Sequence, residues 1–242
     1  MFKNILLGVI IVLILYLVYI YVFQDSTSSN LYSGGNAKKQ VIIPASKLPG
    51  NKASVDFSFS IWIYVNSWQY RYGTVKTIFR RNGMRSGSFA PSLALAASTN
   101  DLEIRLDSFN TDGNSEVETN NTWTVHDIPI QKWCNIIIAT NNRAVDTYID
   151  GKLVNTHVLN NVPKMNKSAP VVISPTESQG DNGGFEGEIS KFRYIARTVS
   201  PREAYEIYRD GPGTNWLSDF LGQYKLKMSF LKNNEELNSF EI

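Results

Sequence analysis

The sequence predicts an all-β fold, two antiparallel sheets packed face to face, preceded by one transmembrane helix, and three observations predict it. From Val41 onward, short runs of strand formers are bounded by Gly, Pro, Asn and Asp at a spacing of about ten residues. One of these runs, VDFSFSIWIYV, alternates at period two, and Asp150-Gly151 between Tyr148-Ile149 and Leu153-Val154 is a favoured pair for a two-residue hairpin. Ahead of them all stands ILLGVIIVLILYLVYIYVF, which carries no charge.

That leading run, Ile5 to Phe23, is long enough to cross a membrane: as a helix at ~1.5 Å per residue it spans ~28 Å, close to the ~30 Å of a hydrocarbon core. It exceeds the ~7–15 apolar residues of a signal peptide and is followed by YVFQDS, with no small-x-small cleavage site. Tyr16, Tyr19 and Tyr21 gather toward one end, as interfacial aromatics do. Lys3 before the span and Asp25 after it favour a single-pass protein whose domain lies on the side opposite the N-terminus, although Lys38 and Lys39 pull the other way. Residues 1–23 are thus expected to form the anchor. Residues 24–40, rich in Ser, Gly and Asn with little to bury, read as a flexible linker.

Residues 41–213 then read as one domain. In VDFSFSIWIYV, Val55, Phe57, Phe59, Ile61 and Ile63 share one face and Asp56, Ser58 and Ser60 the other; Trp62 and Tyr64 continue that second face, which predicts a strand covered on both sides, inside a sheet. KTIFRR, SLALAAS, LEIRLDS, KWCNIIIATN and AVDTYIDGKLVNTHV follow as further strands. Asp150 is a turn residue, and Asp146, four residues back along the strand at a rise of ~13 Å, is too distant to share a substrate atom or a metal with it. FEGEISKFRYIA is a last strand fed by a glycine-rich loop. SPREAYEIYRDG is a short helix with Ser200 as N-cap, Pro201 at its first position, Glu203 completing a capping box and Gly211 past its end. Residues 214–242 carry Tyr224, Leu226, Met228 and Phe230 at period two, which suits either an added strand or an arm docked on a partner.

FSFSIWIYVNSW, KTIFRR, IPIQKWCNIIIATNNRAVDTYIDGKLV and GFEGEISKFRYIARTVSPREAYEIYRDG, in that order over about residues 52–213, resemble the concanavalin A-like superfamily in its laminin G-like, pentraxin-like branch. The resemblance implies a jelly roll with one curved sheet and a concave face. The same sandwich carries lectins, adhesion modules, glycoside hydrolases and capsid-associated proteins, so function must come from a site.

The net charge of +2, with scattered Lys and Arg, gives no footprint for nucleic acid. The one cysteine, Cys134, stands amid strand-core residues and cannot form an internal disulfide. The family's hydrolases carry Glu-x-Asp-x-x-Glu, which is absent; Glu186 and Glu188 share a face at ~7 Å, but nothing forces either to be a protonated acid, so no enzyme is expected. His126 and His157 occur singly. Relatives in the superfamily hold calcium at a rim; Asp181 and Asn182, or Asp107, Asp112 and Asn114, are the donors such a site would use, and turn chemistry explains them equally. No other cofactor is implied. NSWQYRYGTV displays Trp68, Tyr70, Arg71 and Tyr72 at a strand exit, and Arg80, Arg81 and Arg85 follow, residue types that dominate interface hot spots and stack on sugars; packing of the sandwich rim is the competing account.

Two functions remain. One is a structural tether that links a membrane to a protein assembly, a layout similar to that of membrane proteins in large DNA virus particles. The other is a glycan-binding or adhesion module at a cell surface.

Overall fold

The computed structural model describes residues 10–16, 18, 27–50, 55–85, 87–110, 118–176 and 183–213, and the strands at 227–232 and 235–241. Two six-stranded sheets form the sandwich, and every pairing in them is antiparallel. Sheet one runs β1 (Ser28–Asn36), β12 (Glu186–Ile195), β3 (Ser58–Ser67), β8 (Trp133–Asn141), β9 (Ala144–Ile149), β10 (Lys152–Val158). Sheet two runs β2 (Val41–Ile43), β11 (Val171–Ile173), β4 (Lys76–Asn82), β5 (Phe89–Leu95), β6 (Leu102–Phe109), β7 (Glu118–Val125). β13 (Lys227–Lys232) and β14 (Glu235–Glu241) pair as a separate hairpin, so the extension is a strand pair outside both sheets.

The period-two strand is where its pattern places it, inside sheet one between β12 and β8. Phe57, Phe59, Ile61 and Ile63 point into the shared core. There the ring of Phe59 meets Phe79 of sheet two at 5.2 Å and Phe192 at 5.7 Å, while Phe79 and Phe192 lie 4.8 Å apart. Each such aromatic pair contributes roughly 0.5–1.5 kcal/mol beyond its buried area. The other face of β3 is covered too. Helix α1 (Pro201–Arg209) packs there, setting Val199, Ala204 and Ile207 on Ile137, Ala139, Tyr148 and Ile195, with Trp62 stacked 5.7 Å from Tyr208.

Local signals hold α1 in place. Ser200 Oγ accepts the Glu203 N–H at 3.3 Å, and Gly211 follows at φ 68°. The expected capping box is only half made, because the Glu203 carboxylate turns to the Arg197 guanidinium at 2.7 and 2.8 Å, a bidentate pair stronger than a return bond to one N–H. The Asp150-Gly151 turn has both residues at positive φ, 51° and 73°, as its hairpin requires. Asp150 Oδ1 also accepts the Asn135 N–H at 2.9 Å, and Gly151 runs beneath α1, where an added Cβ would come within 2.9 Å of the Tyr205 Cα.

The linker expectation for 24–40 is corrected. Ser28–Asn36 is strand β1, paired with β12 from Ser28 opposite Ile195 to Asn36 opposite Glu188. Its apolar contribution is small, a buried Leu31 and a packed Tyr32, so most of its hold comes from backbone hydrogen bonds that Ser, Gly and Asn supply as well as any residue. Gly34 is fitted to this edge, since a Cβ there would lie 2.9 Å from the Ile189 carbonyl oxygen.

Of the apolar leader, residues 10–16 and 18 are helical, and the side chains of Ile10 through Leu15 are exposed. No helix among the described residues is long and apolar enough to cross a membrane.

Candidate functional site

The aromatic loop after β3 divides its side chains between packing and display. Arg71 at φ 52° and Gly73 at φ 79° turn the chain back toward β4. Trp68 packs against the core, and the Lys76 ammonium lies 4.7 Å from the centre of its ring. Lys76 is 1% exposed and donates to the carbonyls of Ala97 at 3.0 Å, Thr74 at 3.3 Å and Ala96 at 3.4 Å. Burial, with Arg71 as a further cause, lowers its pKa from the usual lysine value. Tyr70 receives the Lys38 ammonium 4.4 Å from its ring centre, and Lys38 also reaches Glu186 at 3.2 Å. Tyr72 alone of the three aromatics is openly displayed, at 61% exposure.

Arg80 and Arg81, adjacent on β4, have opposite fates. Arg81 is 3% exposed, which corrects its expected place on the surface. Its Nε donates to the Ala169 carbonyl at 3.1 Å and its Nη2 to Lys167 at 3.0 Å, so it ties the loop before β11 to the sheet. Burial lowers its pKa from the usual arginine value. The side chain closes one wall of a cavity of about 140 Å³ with Leu48, Val55, Met165 and Tyr194.

Arg80 faces outward, in a row that crosses all of sheet two. Ile42, Val172, Arg80, Ser92, Arg105 and Thr122 are successive cross-strand partners on β2, β11, β4, β5, β6 and β7. The neighbouring row is Thr77, Ala94, Glu103 and Thr124. Because Ser92 and Ala94 are small, a groove of about 190 Å³ opens over β5, walled by Arg80, Phe89, Glu103 and Arg105. The Arg80 Nε is buried and has no acceptor among the described residues. Arg105 Nη2 lies 3.5 Å from Glu103 Oε2, on the side chain's own strand. Two cations and one carboxylate leave this groove with a positive balance.

A wider trough, about 370 Å³, lies on the outer face of sheet one among Asn30, Gly34, Trp133, Glu188, Ser190 and Lys191. Its polar groups are largely engaged: Ser190 Oγ bonds to the carbonyls of Ser33, at 3.2 Å, and Pro212, and Lys191 Nζ donates to the Asp210 carbonyl at 3.0 Å.

Among the described residues the remaining candidates do not assemble. Asp107 is buried on β6, where Oδ2 accepts the Phe89 N–H at 2.7 Å. Asp112, Asn114, Asp181 and Asn182 lie outside the described residues, and among those described no group of three or more His, Cys, Asp or Glu is placed to hold a metal. His126 Nδ1 sits 3.2 Å from Asp101 Oδ1, while His157 stacks on Trp123 at 4.3 Å. Burial raises the Cys134 thiol far above its usual pKa, which suits its core position.

Ser92, Glu103 and Arg105 were not among the residues singled out from the sequence. Alternation in LEIRLDS does place Glu103 and Arg105 on one outward face. That β5 and β6 follow β4 side by side, which brings Arg105 opposite Ser92 and Ser92 opposite Arg80, is information only the sheet order supplies.

A family model described as the concanavalin A-like lectin/glucanases superfamily, Laminin_G_3, matches residues 33–204. Similar solved structures include the receptor binding domain of botulinum neurotoxin D, with TM-score 0.53, 15% identity, and 71% of this chain covering 41% of that one. The ligand binding domain of serotype D in complex with N-acetylneuraminic acid has TM-score 0.52 and 16% identity, with 74% of this chain covering 42% of that one. The binding domain of neurotoxin DC in complex with SialylT has TM-score 0.51 and 20% identity, with 71% covering 39%. The chain thus spans about two fifths of the length of these structures, and at such identities the likeness is one of fold. No curated protein matches it in sequence.

Proposed function

From the premise that the chain belongs to the concanavalin A-like lectin/glucanases superfamily, we propose that it is a non-catalytic tether: residues 5–23 hold it in a membrane, and the outer face of sheet two grips its partner. One observation carries this reading. Helix α1 packs on the outer face of sheet one, whereas the outer face of sheet two carries a groove lined by Arg80, Glu103 and Arg105.

The anchor half rests on the uncharged run from Ile5 to Phe23 and on the exposed apolar side chains of its described helical residues. The domain lies on the side opposite the N-terminus, and a particle or cell membrane is the setting. A glycan is the partner the groove favours over a flat protein surface, because a serine floor, a carboxylate and two guanidinium groups offer directed hydrogen bonds inside a concave space. Structures of similar fold have been determined with N-acetylneuraminic acid and with SialylT, which supports the same reading.

Vesicle flotation tests the tether. Full-length protein reconstituted with phosphatidylcholine vesicles floats with them through high salt and carbonate extraction, and a chain lacking residues 1–26 stays in the dense fraction. Full-length protein that is stripped by carbonate overturns the anchor.

A further inference from the structure

We propose that the groove on sheet two binds an acidic sugar unit, whose carboxylate or sulfate is held between Arg80 and Arg105. The inference rests on the reading of that face as the partner surface and names the chemistry it selects.

The argument begins with spacing. Arg80 on β4 and Arg105 on β6 both pair with Ser92 on the strand between them. Two strand spacings of ~4.8 Å set their backbones roughly 10 Å apart, a gap that two arginine side chains can close over one anion. Ser92 is nearly buried between them and too short to fill the space, so the anion's seat is the open volume above its hydroxyl.

Hydrogen-bonding capacity points the same way. The buried Nε of Arg80 has no acceptor among the described residues, and a guanidinium in that state is completed by an oxyanion more fully than by a neutral group. Among the described residues Arg105 has the 3.5 Å contact with Glu103, a separation at which little of its donor capacity is used.

Glu103 decides what kind of anion. A densely charged ligand such as a polyphosphate or a nucleic acid would be repelled by its carboxylate. A sugar ring with one acidic group has hydroxyls to donate to Glu103 and Thr77, and a face to lay against Phe89. The volume of about 190 Å³ suits a single unit of a chain rather than a whole oligosaccharide.

Isothermal titration of the full-length protein in detergent micelles tests this with four probes: a glucuronate-bearing oligosaccharide, a sulfated one, a neutral one of the same length, and a poly-glutamate peptide. One or both acidic sugars bind at least about tenfold more tightly than the neutral sugar and the peptide, and the pair of acidic probes separates carboxylate from sulfate. Arg80→Gln and Arg105→Gln each weaken binding about tenfold. Arg80→Lys, which keeps the charge and loses the fork, does not restore it. Ser92→Leu blocks the groove with both charges in place, and unchanged thermal unfolding shows that each variant is folded.

Equal affinity for the neutral sugar or the peptide, no binding by either acidic sugar, or affinity indifferent to both arginines overturns the proposal. Its failure is separable from that of the tether: flotation without acidic-sugar binding sinks this inference alone, and binding without flotation sinks the anchor alone.

Discussion

The outer faces of the two sheets make the most instructive comparison in the molecule. Sheet one turns Ile137, Ala139, Tyr148 and Ile195 outward under α1, and Trp62 under Tyr208, so that face is a second apolar core. Sheet two turns Thr77, Arg80, Ser92, Glu103, Arg105, Thr122 and Thr124 outward, around a polar groove. Both faces sit on the same buried core, yet one is packed beneath a helix while the other carries the groove proposed to bind a partner.

The contrast predicts a graded set of responses. Tyr148→Ala, beneath α1, removes a fully buried ring and costs about 3–5 kcal/mol in denaturant unfolding; a loss under ~1 kcal/mol would show that α1 is not a structural cover. Gly151→Ala, at φ 73° and 2.9 Å from the Tyr205 Cα, costs roughly 2 kcal/mol by the same measurement. Ser200→Ala removes the N-cap of α1 and costs about 1 kcal/mol. Thr122→Ala, on the open face, changes stability by no more than ~0.5 kcal/mol, and a larger loss would mean that this face is covered after all.

A pH experiment sharpens the same contrast. Burial first, then Asp146, pushes the Tyr148 hydroxyl from its usual 10.0 to about 12. A raised folded-state value favours the protonated folded form, so this contribution is fully present below pH 10.0 and is lost as pH rises through about 12. Alkaline unfolding monitored by circular dichroism therefore weakens over that window, and Tyr148→Phe removes the weakening specific to this residue. An unchanged alkaline limb in the variant would assign the loss to other groups.

How much of this was legible in the sequence follows from where each interaction finds its energy. The alternation of VDFSFSIWIYV placed β3 inside a sheet because burial on both faces is written in consecutive side chains. Asp150-Gly151 and Ser200-Pro201 were legible because turns and caps are local. β1 was missed because a Ser-Gly-Asn stretch carries no burial pattern, its hold lying in backbone bonds to β12, more than 150 residues away in the chain. Arg81 was misplaced for a similar reason: its acceptors are carbonyls of residues 167 and 169, which no periodicity reveals. The candidate groove was half visible, with Arg80 among the residues named and Arg105 recognised only once β4, β5 and β6 lay side by side.

The early start of β1 also bears on the proposed anchoring, because it sets how the domain would stand on a membrane. With the strand beginning at Ser28, only residues 24–27 separate it from the end of the apolar run, a leash of at most ~14 Å at ~3.5 Å per residue. Under the proposed anchoring, so short a stalk would leave little freedom to tumble: the pole of the sandwich around Ser28 and Ile195 would lie beside the lipid headgroups, and the pole around Asn36 and Glu188 would face away from them.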